Sequence, residues 1–183
     1  MNQIKSLLLV AAMLVTALPV LAQQKRVSPH ETIGAVIDGN RVTIVYGRPY
    51  TKDPKSGEPR KVWGGLVPDG QVWRLGADEA TLLLTQKTIL FGETAVPAGA
   101  YSLFLLPQAD GSAKLIISKQ LGEWGAYQYN EKQDLTRIDL KKEALEKAAD
   151  QLTIAISKNS PAGGILKISW ENTQFSVPFT VQK

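Results

Sequence analysis

The clearest strand signal in the chain is Thr32-Ile33-Gly34-Ala35-Val36-Ile37-Asp38-Gly39-Asn40-Arg41-Val42-Thr43-Ile44-Val45-Tyr46. Two runs rich in β-branched residues flank an Asp-Gly pair, which supplies the positive φ angles that a tight hairpin turn needs. Alternation places Val42, Ile44 and Tyr46 on one face of the second run. The stretch therefore predicts an antiparallel β-hairpin.

Short strands also account for most of the remaining chain. The segments are separated by turns such as Pro97-Ala98-Gly99 and Ala109-Asp110-Gly111. The predicted strands outside the hairpin are 72–75, 80–85, 88–91, 101–106, 114–118, 135–140, 152–157, 165–170 and 174–181. Only residues 141–150 have apolar side chains at helical spacing. We predict an all-β fold, an antiparallel β-sandwich with at most one short helix; a partly open β-barrel is the alternative.

The C-terminal segment adds two local expectations. Glu171-Asn172-Thr173 predicts a turn between the last two strands. Pro178 has no backbone N–H, so the last strand should lie at a sheet edge or turn its amide side to solvent.

The N-terminal segment predicts export. Lys5 precedes an apolar run over Leu7–Leu18, and Pro19 and small residues follow up to Ala22, as in a cleaved signal peptide. The run is shorter than the roughly 20 residues that span a membrane. We therefore expect a signal peptide over 1–22, a single domain over 23–183 with no membrane span after cleavage, and an extracytoplasmic location, periplasmic or secreted.

Composition limits the classes of partner and the kinds of catalytic or metal site that the protein can have. The formal net charge of +4 is too mild to indicate a nucleic-acid partner. The chain has no cysteine and a single histidine, which excludes disulfides, thiol nucleophiles and the common zinc sites. Neither a glycine-rich phosphate loop nor a Gly-x-Ser-x-Gly elbow occurs. We expect no cofactor and no metal.

One cluster carries the features of a site: Trp73-Arg74-Leu75-Gly76-Ala77-Asp78-Glu79-Ala80-Thr81. Arg74 and Glu79 can form an ion pair that braces the glycine bend. Alternatively, Arg74 contacts a ligand. Asp78 and Glu79 diverge in an extended chain, and only a bend at Gly76 brings them together.

Two further groups combine cations and aromatic rings. The proline-rich segment 48–62 has Arg48 and Arg60 close to Trp63, and the glycine-bearing segment 121–127 presents Trp124 and Tyr127. Guanidinium groups beside aromatic faces suit carboxylate, phosphate or sugar recognition. A solvated loop with inward-packed aromatics is the competing interpretation. The candidate ligand-binding residues are Arg48, Arg60, Trp63, Arg74, Asp78, Glu79, Trp124 and Tyr127.

Several motifs together resemble a known family. They are Ser28-Pro29, Tyr46-Gly47-Arg48-Pro49, Trp63-Gly64-Gly65-Leu66-Val67-Pro68, the block from Trp73 to Thr81, Pro97-Ala98-Gly99-Ala100-Tyr101 and Trp124-Gly125. The chain resembles the exported bacterial domain-of-unknown-function family numbered twenty-nine eleven. The resemblance implies a bacterial, extracytoplasmic, mostly β domain and no particular reaction. This chain has Asp78 and Leu75 where the family usually has Asn and Thr.

Three functions fit these residues. The first is a non-enzymatic module that binds a small polar or anionic ligand or a glycan. The second is a structural or interaction protein of the cell envelope that docks through a sheet edge or the basic segment 48–62. The third is a hydrolase with Asp78 or Glu79 as general acid or base. Because no catalytic residues can be assigned, the sequence favours a protein that is not an enzyme.

Overall fold

Nine β-strands form the protein in a computed structural model that describes residues 26–159 and 161–183. The predicted signal peptide, residues 1–22, lies outside the described residues. The strands are β1 His30–Ile37, β2 Asn40–Gly47, β3 Thr81–Thr85, β4 Ile89–Phe91, β5 Thr94–Val96, β6 Gly99–Pro107, β7 Ala113–Ser118, β8 Asp134–Lys158 and β9 Gly164–Val181. One 3-10 turn, Glu131–Gln133, precedes β8.

The predicted hairpin is confirmed as β1 and β2. Its turn residues Asp38 and Gly39 have φ angles of 48° and 74°, the pair of positive values that an Asp-Gly turn provides. Ile37 pairs with Asn40, and the antiparallel register continues to the pair of His30 and Gly47. The turn therefore fixes which residue of β2 lies opposite the start of β1.

The strands make one open antiparallel sheet in the order β1-β2-β3-β6-β7-β8-β9-β4-β5. Its two halves enclose a single apolar core, in which Ile44 of β2 belongs to the same cluster as Ile154 of β8 and Trp170 of β9. The Tyr46 hydroxyl also accepts a hydrogen bond from the Ile154 N–H, at 3.0 Å. The all-β, sandwich-like fold class is confirmed, and the sheet is not a closed barrel.

Long strands β8 and β9 join the two halves. β8 pairs with β7 through Leu140 and with β9 from Lys141 onward. The predicted short helix over 141–150 is wrong, because this segment belongs to β8. Residues 141–144 pair with residues 173–176 of β9, so tertiary pairing overrides a helical propensity that is weak over ten residues.

The turn predicted at Glu171-Asn172-Thr173 is also wrong, because the chain does not reverse its direction there. β9 continues through it, and Glu171 has a φ of 51° where the register to β8 shifts, which marks a β-bulge. Pro178 lies between the β8 pairing, which reaches Ser176, and the β4 pairing at Thr180 and Val181. Its missing N–H therefore breaks no ladder bond.

The proline-rich segment 48–62 folds back along β8. Tyr50 bridges to Gln151 and Lys52 bridges to Pro59, while the Asp53 carboxylate accepts hydrogen bonds from the N–H groups of Lys55 and Ser56. These contacts bring Arg60 back to the Tyr50 carbonyl. Among the described residues, no helix is long and apolar enough to cross a membrane.

Candidate functional site

The segment Leu75–Ala80 separates two surface cavities. The first, here the arginine cavity, has a volume of about 240 Å³, and Arg60, Arg74, Asp78 and Trp170 are among its lining residues. The second, here the histidine cavity, has a volume of about 390 Å³, and Arg26, His30, Glu79 and Glu123 are among its lining residues. Adjacent residues Asp78 and Glu79 thus belong to different cavities.

Three N–H groups in the lining of the arginine cavity lack acceptors. Arg60 Nε, Arg74 Nε and the indole Nε1 of Trp170 are buried and have no hydrogen-bond partner among the described residues. A buried donor without an acceptor is costly, and roughly 1–3 kcal/mol of desolvation goes unrecovered. Because these nitrogens have almost no accessible surface, an acceptor reaches them only if the lining side chains move.

The charged side chains that line the arginine cavity indicate the charge of its ligand. Arg60 and Arg74 have no carboxylate within salt-bridge distance among residues 26–159 and 161–183. Asp78, the acidic residue of the lining, is already hydrogen-bonded to His30. Two guanidinium groups in one small cavity consequently favour an anion.

Aromatic rings support the inner wall of the arginine cavity. Trp73 and Trp170 stack with ring centroids 5.6 Å apart and an interplanar angle of 17°. Trp63 packs edge-on against both rings, and its Nε1 donates to the Trp170 carbonyl at 3.3 Å. Trp63 thus supports the wall, whereas the sequence predicted a ligand contact for it.

Close backbone packing shapes the segment Leu75–Ala80. The Ala77 N–H donates to the Gly47 carbonyl at 3.2 Å, and a Cβ added at Gly47 would lie only 2.3 Å from the Ala77 carbonyl oxygen. Thr81 Oγ1 donates to the Leu75 carbonyl at 2.7 Å. Asp78 has a φ of 65°, a conformation that Asp and Asn tolerate better than most residues.

The bend in the segment Leu75–Ala80 places the carboxylates of Asp78 and Glu79 beside the imidazole of His30. His30 Nε2 lies 2.9 Å from Asp78 Oδ2 and 3.7 Å from Glu79 Oε2. His30 is the first residue of β1 and pairs with Gly47, so the strand register places the ring beside the segment Leu75–Ala80. The three ligand atoms lie within 4.8 Å of one another and form a potential metal-binding group.

Glu79 pairs with Arg26, and the predicted Arg74–Glu79 ion pair is wrong. Arg26 Nη1 and Nη2 donate to the two Glu79 carboxylate oxygens at 2.7 and 2.5 Å. Burial has the largest single effect and raises the pKa of Glu79, but the Arg26 hydrogen bond, a backbone hydrogen bond and the charge of Arg26 together outweigh it, so the net pKa lies below the usual value. The hydrogen bond between Arg26 and Glu79 raises the pKa of Arg26. Glu79 is therefore held as a carboxylate.

Arg48 connects β1 and β8 through its side chain. Its guanidinium donates to the Leu152 carbonyl at 3.1 Å and to Thr153 Oγ1 at 3.0 Å, and it lies 3.2 Å from the Glu31 carboxylate. Because these partners come from β1 and β8, Arg48 braces the two halves of the sheet. It does not line the arginine cavity.

The second aromatic group lies at the surface. Trp124 and Tyr127 are 59% and 83% exposed, and neither is among the lining residues of the two cavities. Their segment still touches the site through its backbone, because Gly125 N donates to the Asp78 carbonyl at 3.1 Å. It supports the turn at Asp78 from outside.

Sequence reasoning missed three residues of the site. Arg26 and His30 belong to none of the three groups of candidate residues, although β1 begins at His30. Trp170 was assigned only as a strand residue. A lone histidine near two carboxylates distant in sequence gives no spacing signal, and only the strand register reveals the contact.

Comparison with known proteins gives one family match. The model of the family described as "Protein of unknown function (DUF2911)" matches residues 28–179. No curated protein and no solved structure matches the chain. The match includes the residues of both cavities except Arg26 and Val27, which precede it.

Proposed function

Because the chain belongs to the DUF2911 family, whose function is unknown, we propose from the site itself that it is a non-enzymatic module binding a small anionic ligand in the arginine cavity. The observation that carries the proposal is the pair of guanidinium groups of Arg60 and Arg74 in one cavity, neither within salt-bridge distance of a carboxylate among the described residues. An anion would neutralise both guanidinium groups at once.

The cavity also limits the ligand. Its volume of about 240 Å³ is below the roughly 300 Å³ at which pockets for drug-sized ligands begin. Trp73 and Trp170 supply an aromatic wall beside the cations, and such a wall suits a flat or sugar-like body. We assign the ligand class as small carboxylates, including carboxylated monosaccharides.

The proposed ligand would be met outside the cytoplasm. The apolar run over Leu7–Leu18 after Lys5 is the feature that supports export. Glu79 gains no support as the general acid of the hydrolase alternative, because a general acid needs a raised pKa and that of Glu79 is lowered.

Binding can be measured by calorimetry and by tryptophan fluorescence on the exported, purified protein. We would titrate acetate, glucuronate, phosphate and sulfate, with glucose as the neutral counterpart of glucuronate. We expect glucuronate to bind and glucose not to bind. Higher salt should weaken the interaction, since it depends on charge.

The matched variants are Arg74→Gln and Arg41→Gln. Arg41 is an exposed residue of β2 and does not line the arginine cavity. The proposal requires Arg74→Gln to lose anion binding and Arg41→Gln to keep it. If none of the anions binds the wild-type protein, or if both variants bind equally well, the proposal is wrong.

A further inference from the structure

A second ligand set lies between the two cavities, where His30 and Glu79 of the histidine cavity meet Asp78 of the arginine cavity. We propose that His30, Asp78 and Glu79 bind a divalent transition-metal ion, for which the Arg26 guanidinium is an intramolecular competitor. The proposal depends on the geometry of these side chains and does not use Arg60 or Arg74, although Asp78 also lines the arginine cavity. It revises the expectation from composition that no metal binds.

The distances between the ligand atoms fit a metal site. Ligand atoms about 2.1 Å from a metal ion, at angles near 90–110°, lie about 3.0–3.4 Å from each other. The separations of 2.9 Å from His30 Nε2 to Asp78 Oδ2 and 3.7 Å to Glu79 Oε2 bracket that range. All three ligand atoms lie within 4.8 Å of one another, so the two carboxylates must approach each other to bind one ion.

The donor types indicate the class of ion. One imidazole nitrogen and two carboxylate oxygens suit first-row ions such as Zn²⁺, Co²⁺ and Mn²⁺. Mg²⁺ prefers oxygen ligands and water, so it gains little from His30. Three protein ligands leave coordination positions free, and the adjoining cavity of about 390 Å³ has room for water or a small ligand there.

A cation already lies at the point where these three side chains meet. Arg26 Nη1 is 2.7 Å from Glu79 Oε2 and 2.8 Å from His30 Nε2. The Arg26 side chain is 39% exposed, and exposed ion pairs contribute little to stability. Arg26 can therefore leave the carboxylates when a metal ion arrives, and a metal ion must compete with it.

The backbone positions of Asp78 and His30 are held without the metal. Asp78 is fixed by its φ of 65° and by the Gly125 N–H bound to its carbonyl. His30 is fixed by its pairing with Gly47 at the start of β1. The ligands therefore come from two segments whose relative position is set by the sheet, as preorganised binding requires.

The test is metal titration of the exported protein, purified without an affinity tag and treated with a chelator. Calorimetry with Zn²⁺ and visible absorption with Co²⁺ should both give one equivalent bound. Asp78→Asn tolerates the same backbone conformation but removes a charged ligand, and His30→Gln removes the nitrogen. Each should weaken binding at least about tenfold, since even loss of an outer-shell partner costs about 10–100-fold.

Two further variants separate a defined site from general attraction to an acidic surface. Glu123→Gln removes a carboxylate of the same cavity that is outside the ligand set, and it should leave the affinity for Zn²⁺ unchanged. Arg26→Gln removes the competitor and should raise that affinity several-fold. Thermal unfolding without metal verifies that each variant is folded.

Several results would overturn the metal site. They are no stoichiometric binding of Zn²⁺ or Co²⁺, full affinity in folded His30→Gln, or equal losses in Asp78→Asn and Glu123→Gln. Arg74→Gln should keep its metal affinity. The anion site and the metal site can therefore fail separately.

Discussion

Gly47→Ala is expected to damage both candidate sites through one steric contact. The added Cβ would lie 2.3 Å from the Ala77 carbonyl oxygen and 2.9 Å from the Ala77 carbonyl carbon. Ordinary contact begins near 3.4 Å, so the segment around Ala77 must move by at least about 1 Å. Overpacking of this kind costs about 1–3 kcal/mol of unfolding free energy. Tm should fall by about 2–4 °C for each kcal/mol that is lost.

The displacement should also be visible in metal binding. A shift of about 1 Å exceeds the roughly 0.5 Å within which a binding constellation must be held. Asp78 follows Ala77 directly, so its carboxylate moves away from His30. We expect Zn²⁺ affinity to fall at least tenfold in Gly47→Ala, by calorimetry, alongside the lower unfolding free energy in urea.

Gly34→Ala is the matched control within the same hairpin. A Cβ at Gly34 would meet Thr43 Oγ1 at 3.5 Å and the Val42 carbonyl oxygen at 3.6 Å, which are ordinary contacts. Replacing a strand glycine by alanine without a clash is neutral or mildly stabilising. If Gly47→Ala and Gly34→Ala have the same unfolding free energy and the same Zn²⁺ affinity, the steric argument is refuted.

Three other expectations follow from buried side chains. Asn40→Ala leaves the backbone N–H groups of Gln86 and Lys87 without their acceptor; urea unfolding should show a loss of roughly 1–3 kcal/mol for each donor that stays unpaired, and an unchanged midpoint would contradict this. Burial raises the pKa of Tyr46 to about 12, so its contribution to stability is fully present below pH about 10 and is lost as pH rises toward 12. Unfolding free energies measured over that window should decline less in Tyr46→Phe than in wild type, and equal slopes would count against the assignment. Trp170→Phe removes an unpartnered donor and part of a fully buried ring that stacks on Trp73; Tm should fall because a cavity is left in the core, and an unchanged Tm would count against this packing.

Local sequence signals were sufficient for the parts of the fold that depend on neighbouring residues. Asp38-Gly39 specified a two-residue turn, and the structure gives both residues positive φ angles. The helix expected over 141–150 failed because a ten-residue pattern says nothing about the partner strand. Here β9 supplies that partner, and pairing with it decides the conformation.

The candidate site could be predicted only in part, because the sequence of one segment does not show which distant residues lie beside it. Arg60 and Arg74 were identified from composition, and both line one cavity. The partner of Glu79 was predicted five residues away at Arg74, yet it is Arg26, 53 residues away. Charge pairing across the sheet depends on register, which residue spacing within a single segment does not encode.

Gly47 shows how strand register and close packing create a site that no single motif contains. The hairpin turn sets the register that pairs Gly47 with His30. The absence of a side chain at Gly47 lets Ala77 approach its carbonyl within 3.2 Å, and this brings Asp78 to the same imidazole. The Tyr46-Gly47-Arg48-Pro49 motif thus has a physical role, with Tyr46 and Arg48 bonded to β8 while Gly47 seats the segment Leu75–Ala80. A substitution at Gly47 should therefore weaken anion and metal binding together, whereas Arg74→Gln and His30→Gln should each remove only one.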